Sequence, residues 1–254
     1  MAELIVIDGP AGVGCSTVAG LVADKLDGEM IDTGALYRAL TYICRSPFGS
    51  EPPDEDAILY EIKEMEEFKF QDNQISWRGM NMAKVIRDED VTRHVSFVSS
   101  IPEVRQAVNA RTLQEVDRSG RPIAITEGRA GYWELDSWGL AVFLDADPRI
   151  RANRRGQQNS EDIDDYAILT RLVKELAERD DYDASRKVSP MRPAARVNQL
   201  HINLHDDDKP DLAAWRLAQV YCKGESQLYV DTTDASAETV AELIAQTYCF
   251  LSAK

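Results

Sequence analysis

The chain opens on a short apolar, largely β-branched run, Leu4-Ile5-Val6-Ile7. Asp8-Gly9-Pro10-Ala11-Gly12-Val13-Gly14-Cys15-Ser16-Thr17 follows, and then apolar positions recur at Leu21, Val22 and Leu26. A buried strand, a glycine-rich turn and a helix start, in that order, are the layout of a phosphate-binding P-loop. Gly9, Gly12 and Gly14 let the backbone turn tightly and bring its N–H groups close to an anion. Ser16 and Thr17 open a helix whose N-terminus favours negative charge. Where the motif has lysine, this chain has Cys15. That residue reads either as a small semi-apolar filler or as a thiol whose pKa is lowered at a helix N-terminus. A thiolate there would repel phosphate, so a catalytic cysteine is not expected. Losing the lysine removes a point charge from the transferring group, an electrostatic effect typically worth ~10²- to 10³-fold in rate. Lys25, nearly three helical turns on, is expected to point elsewhere.

The remainder of the chain alternates strands with helices, which predicts an α/β fold with a central parallel sheet. Met30-Ile31, Ile123 to Thr126, Leu140 to Leu144 and Leu228 to Asp231 read as strands. Ala35–Cys44, Tyr166–Arg179 and Ala237–Phe250 read as helices, with two more across Asp88–Val116 that break at Ile101-Pro102. Residues 61–95 read as a small inserted subdomain of short strands: Phe68 to Phe70, then Gln74 to Trp77 after a turn at Asp72-Asn73, and a third across Asn81–Ile86. Ser46 to Pro53 reads as a loop, and residues 157–166 as a solvated, mobile segment. A net charge of −15 argues against non-specific binding to nucleic acid or anionic membrane. Cys15, Cys44, Cys222 and Cys249 form no C-x-x-C pair and are expected to be free thiols. With no signal peptide and no membrane span in view, a cytoplasmic monomer acting on small molecules is expected.

Arginines recur in settings suited to phosphate, whose planar recognition a guanidinium fork supplies: Arg38, Arg105, Arg111, Arg129, Arg154, Arg155, Arg171, Arg179 and Arg186. Four stretches follow one another in order. They are Asp8-Gly9-Pro10-Ala11-Gly12, Asp32-Thr33-Gly34-Ala35-Leu36-Tyr37-Arg38, Glu127-Gly128-Arg129, and Arg179-Asp180-Asp181…Asp183…Arg186…Ser189-Pro190…Arg192-Pro193. Together they resemble the bacterial cytidylate (CMP/dCMP) kinase family, over residues 4 to about 194 and again from about 228 to 250. The resemblance implies a P-loop NTPase three-layer fold with a substrate-binding insert at 61–95 and a lid at 154–179. It implies an enzyme that moves the γ-phosphoryl of ATP onto CMP or dCMP with Mg2+. By matching position, Gly9 to Thr17 would hold ATP, with Ser16 on Mg2+. Arg154, Arg155 and Arg171 would close over the donor phosphates. Arg38, Arg129 and Arg186 would hold the acceptor phosphate, with Ser96 and Arg105 at the base and Thr33 near it. Arg179 and Asp183 would reach the sugar, and Arg129, Arg179, Asp183 and Arg186 are the expected catalytic set.

The chain departs from the family pattern at three places. Cys15 replaces the P-loop lysine. Ala130 replaces the aspartate of the family's Gly-Arg-Asp motif, a base contact there, and an alanine side chain neither donates nor accepts. Residues 196–227 have no family counterpart; His201 and His205 stand four apart there, either as metal ligands or in a solvated loop leading to a short helix at Leu212–Val220. Three readings follow: an active CMP/dCMP kinase with an altered loop, a non-catalytic nucleotide-binding protein of the same fold, or a kinase for another small acceptor with its pocket rebuilt around Ala130, Tyr132 and Trp133.

Overall fold

The computed structural model describes residues 2–45, 51–71, 74–135, 138–191, 198–222 and 226–253. In chain order the first half holds β1 (Glu3–Asp8), α1 (Cys15–Leu26), β2 (Glu29–Asp32), α2 (Thr33–Cys44), α3 (Glu55–Glu61), a 3-10 turn (Ile62–Glu67), β3 (Phe68–Gln71), β4 (Gln74–Trp77), β5 (Met80–Asn81), a second 3-10 turn (Val85–Arg87), α4 (Glu89–Val98) and α5 (Pro102–Ser119). The second half holds β6 (Ile123–Gly128), α6 (Gly131–Glu134), β7 (Trp138–Asp145), α7 (Pro148–Gln158), α8 (Tyr166–Ser185), β8 (Asn198–His205), α9 (Pro210–Val220), β9 (Ser226–Asp234) and α10 (Ala237–Ser252). These form two compact units. One comprises residues 31–120 and 186–188, the other residues 2–30, 121–185 and 189–254.

The second unit carries the expected parallel sheet. Among the described residues its order is β2-β6-β1-β7-β9-β8, β2 starting in this unit at Glu29. β1 pairs in parallel with β6 on one side and β7 on the other, β7 with β9, and β9 with β8. Strands buried on both faces read as continuous apolar runs, which is why Leu4 to Ile7 and Leu140 to Leu144 carry no alternation. Ile5, Ile7, Val18, Val22, Val142, Leu144, Val230, Leu243 and Ile244 share one core. Strands from later in the chain flank β1 on both sides, so its carboxyl end is the switch point where open α/β sheets bind ligands.

The stretch expected to be a solvated loop before a short helix is built otherwise. The helix is present as α9, but residues 198–205 form an edge strand parallel to β9, with Leu200 opposite Leu228 and Ile202 opposite Val230. Leu200, Ile202 and Leu204 alternate toward the core, and Ala214, Ala218 and Tyr221 join them. The Tyr221 hydroxyl accepts the Ala141 N–H at 2.8 Å. Burying that alternating triplet is what holds the strand down. Among the described residues no group of three or more His, Cys, Asp or Glu could hold a metal, so His201 and His205 are not joined by further ligands. The ring of His201 instead lies 4.6 Å from that of Tyr229.

The first unit packs its helices around the antiparallel sheet β3-β4-β5, with Leu36, Leu40, Ile58, Phe68, Met82, Val98 and Val104 in its core. The third strand expected over Asn81–Ile86 is a correction. Pairing stops at Asn81, and Val85–Arg87 is a 3-10 turn whose Ile86 N–H reaches the Met82 carbonyl at 3.1 Å. Met82 and Ile86 stand four apart and are both buried, a spacing open to a strand and to a helical turn alike, and the Ile86 N–H to Met82 carbonyl bond decides for the turn. The break at Ile101-Pro102 falls between α4 and α5 as read. Arg111, grouped with the phosphate arginines, is buried and donates to the Met65 and Phe68 carbonyls at 3.0 and 2.6 Å. The turn at Asp72-Asn73, residues 46–50 of the loop, and Arg192-Pro193 lie outside the described residues. Cys15, Cys44, Cys222 and Cys249 are free thiols, as expected. No helix among the described residues is long and apolar enough to cross a membrane.

Candidate active site

β1 delivers its carboxyl end to the glycine-rich loop. Gly12 and Gly14 sit at φ +77° and +105°, the left-handed region that side chains rarely enter. A Cβ at Gly12 would stand 2.8 Å from the Arg151 carbonyl oxygen, and one at Gly9 2.7 Å from that of Leu144. Gly14 is the N-cap of α1 and contributes no side-chain cap. The first-turn amides of Cys15, Ser16 and Thr17 have no acceptor within their own helix, and Ser16 and Thr17 are exposed. The loop and helix start are therefore shaped to accept an anion.

Cys15 fills the space beneath the loop. It is 8% exposed, belongs to the main core, and its Sγ would stand 3.1 Å from a Cβ at Gly9. Burial pushes the thiol well above its usual range, and Glu127 adds to the rise. The lowered-pKa reading is thus overturned: desolvation outweighs the helix N-terminus, and the residue is a neutral filler. Lys25 does point elsewhere, pairing with Glu242.

Three guanidiniums hold alternate carbonyls of the loop. Arg129 donates to Gly9 at 2.9 Å, Arg151 to Ala11 at 3.0 Å, and Arg154 to Val13 at 3.0 Å. Arg154 also donates to the Thr232 hydroxyl and carbonyl at 3.0 and 2.7 Å, and burial lowers its pKa. The carboxylate of Asp180 accepts the Ala11 N–H at 2.9 Å and an Arg151 N–H at 2.5 Å. Arg129 lies 3.7 Å from Asp180 and 3.8 Å from Asp183, whose backbone carbonyl accepts the Met191 N–H at 2.9 Å. Arg179 lies half-buried on the same helix, α8. Arg155 donates to Gln158 at 2.9 Å, and Arg171 pairs with Glu175 at 2.8 Å and with Glu161.

Asp8, the last residue of β1, is 2% exposed and accepts the N–H groups of Gly131 and Tyr132 at 3.0 and 2.9 Å. Burial outweighs those two bonds and pushes its carboxyl up to about 6. Gly131 is needed there, since a Cβ would stand 2.7 Å from Val6 Cγ1. Ala130 is 3% exposed. The Tyr132 ring packs edge-on to Trp133 at 5.2 Å and against Trp138 at 4.9 Å, and Trp133 is exposed.

In the first unit, Asp32 caps α2 by accepting the Ala35 N–H at 2.7 Å, with Thr33 at the helix start. Arg38, one turn on, donates to the Thr92 hydroxyl at 3.0 Å and the Ile86 carbonyl at 3.3 Å. Arg105 is 4% exposed, and its guanidinium donates to the Tyr37 hydroxyl at 3.2 Å. Arg186 donates to Ser99 at 3.2 Å, and the Ser99 hydroxyl donates to the Ser96 carbonyl at 3.1 Å. Arg38, Arg105 and Arg186 thus each donate to a side-chain hydroxyl.

The family model described as cytidylate kinase matches residues 5–204. The chain belongs to the cytidylate kinase family. It is 38% identical over 200 residues to the cytidylate kinase of Halalkalibacterium halodurans, covering 75% of this chain and 85% of that one. It is 37% identical over 213 residues to that of Ligilactobacillus salivarius, covering 80% and 91%. With that of Listeria welshimeri it shares 32% identity over 244 residues, covering 94% and 93%.

For three residues of this family member the partners were out of reach of the sequence: Asp8 and Asp180 stand in the quoted motifs with no role given, and Arg151 was not singled out. The partners of Asp8 lie more than 120 positions away. Arg151 and Asp180 meet the loop across 140 and 169 positions, a closeness no local pattern reveals. The donor set also fits a magnesium nucleotide. Open amides and an exposed Ser16 hydroxyl stand at the head of α1, without a ready-made carboxylate cage among the described residues. Mg2+ usually arrives on phosphates and takes few protein ligands.

Proposed function

We propose that the protein transfers the γ-phosphoryl group of ATP to CMP or dCMP, giving CDP or dCDP, as a cytoplasmic monomer. Membership of the cytidylate kinase family across residues 5–204 carries this reading. The loop supports it, with the amides of Cys15, Ser16 and Thr17 at the head of α1 available to the donor phosphates. Ser16 is proposed to hold Mg2+, which when bound neutralises charge on the donor's β- and γ-oxygens. Arg155 and Arg171 would meet the donor phosphates, and Arg154 would act on them through the Val13 carbonyl. Arg38, Arg129 and Arg186 would hold the acceptor phosphate, Thr33, Ser96 and Arg105 the base, and Arg179 and Asp183 the sugar. Phosphoryl transfer proceeds by alignment and charge neutralisation, without a covalent intermediate, so a site built of amides and guanidiniums is sufficient chemistry. The buried Cys15 thiol stays protonated and adds no repulsion toward phosphate.

A coupled assay of ADP release with Mg-ATP and CMP, dCMP, UMP, dUMP or AMP tests the reading. Turnover with CMP or dCMP should stand well above the rate without acceptor. Nucleotide binding without turnover would point to a binding protein, and turnover confined to another acceptor to a kinase of different specificity.

A further inference from the structure

We propose that Asp180 and Arg151 are a positioning pair that sets the P-loop for its donor nucleotide by gripping both backbone groups of Ala11. The proposal rests on the kinase reading only for the identity of the ligand. Asp180 Oδ1 accepts the Ala11 N–H at 2.9 Å while Arg151 donates to the Ala11 carbonyl at 3.0 Å. The circuit closes where the same Arg151 nitrogen reaches Asp180 Oδ2 at 2.5 Å. Arg151 Nε donates to the Ala146 carbonyl at 3.2 Å, which ties the pair to the end of β7. Asp180 Oδ1 also stands 3.7 Å from Arg129, the residue holding the Gly9 carbonyl. One carboxylate therefore couples the guanidiniums that hold two of the loop's carbonyls.

The grip has a consequence for the ligand. An anion nest needs successive N–H groups to converge, and that requires their carbonyls to be held away. The Ala11 amide is committed to a protein carboxylate, so the donor phosphates fall to the amides that follow it. The Ala11 side chain is fixed as well, packed with Ala152, Leu172 and Leu176. Cys15 supplies no charge to the phosphates, so more of the donor's binding rests on backbone geometry. A misplacement of the loop is correspondingly costly. Neither Asp180 nor Arg151 needs to touch nucleotide: they act through Ala11.

The test is binding of ADP and of CMP by titration calorimetry to wild-type protein, Asp180→Ala, Arg151→Ala and the double variant, with thermal midpoints alongside. The pair should lose about tenfold or more in ADP affinity in each single variant, since loss of fine positioning alone can cost as much. The double variant should be no weaker than either single one for ADP, and in Arg151→Ala, which leaves the Asp180 carboxylate beside Arg129, CMP affinity should hold. Additive losses, equal losses for ADP and CMP in Arg151→Ala, or unchanged ADP affinity in a folded variant would each overturn the proposal. Asp180→Asn covers the case in which the alanine variant does not fold. It keeps an acceptor for the Ala11 N–H but loses the charge facing Arg151, and should give an intermediate loss of ADP affinity; no loss overturns the pair. All readouts are binding, so a wild-type protein that binds ADP yet fails to phosphorylate CMP removes the kinase reading and leaves the pair tested. A wild-type protein that binds no ADP removes both.

Discussion

Asp8 offers a prediction whose sign and size follow from its surroundings. The carboxyl is 2% exposed and accepts two amide N–H groups, from Gly131 and Tyr132. The two bonds favour the charged form, burial opposes it, and burial wins, raising the carboxyl from an ordinary 3.8 to about 6. The folded protein then holds a proton more tightly than the unfolded chain does. Stability from this group is full below about pH 4, falls as pH rises to about 6, and is flat above. A displacement of that size corresponds to about 3 kcal/mol at neutral pH. Asp8→Asn removes the titration while keeping one acceptor. Urea unfolding of both proteins at closely spaced pH values isolates Asp8 from the other carboxylates, because only the difference is read. The variant's stability minus the wild-type's should rise by about 3 kcal/mol between about pH 4 and pH 7. A flat difference refutes the reasoning. A difference that shrinks with pH would mean the two amide bonds outweigh burial, reversing the assignment.

Three further changes test other parts of the account. Cys15→Lys should raise the CMP-dependent rate about tenfold or more by restoring a charge at the phosphates. The same change should lower stability by roughly 1–3 kcal/mol, because the lysine must leave a filled core position; steady-state kinetics and thermal melts read the two effects. Arg38→Ala should raise the KM for CMP about tenfold or more, with the KM for ATP unchanged, since a bidentate phosphate partner is lost. Leu204→Ala should cost about 3 kcal/mol in urea unfolding, as expected for a core leucine, whereas an ornamental edge strand would tolerate it without loss.

The phosphate loop and the sheet were legible because their signals are local. Glycines at 9, 12 and 14 follow an unbroken apolar strand, and β6 and β7 beside it carry a buried apolar composition over Ala124-Ile125 and Leu140 to Leu144. The edge strand β8 also had a local signal, the alternation of Leu200, Ile202 and Leu204. It went unread because nothing nearby marks β9, across a further helix, as its partner. Asn81–Ile86 misled in the opposite way, since Met82 and Ile86 are apolar at a spacing that fits a turn of helix as well as the end of a strand. The arginines show the limit most plainly. Arginine type and number suggested phosphate at every position. Arg111 spends donors on the Met65 and Phe68 carbonyls, while Arg129 and Arg154 each also hold a carbonyl of the loop. Which acceptor a guanidinium meets is decided by chain crossings of more than forty to about 140 residues, and composition carries no trace of them. The same holds for Cys15: its position left a small filler and a helix-end thiol both open, and its depth beneath Gly9 decides for the filler.

The most direct test is to follow the phosphorus itself. Protein mixed with ATP labelled at the γ-position, Mg2+ and CMP should place the label on CDP within a few turnovers, with little released as inorganic phosphate. Label that remains on ATP, or that appears as free phosphate at the same rate with and without CMP, would contradict the claim that this member of the cytidylate kinase family is a working phosphotransferase.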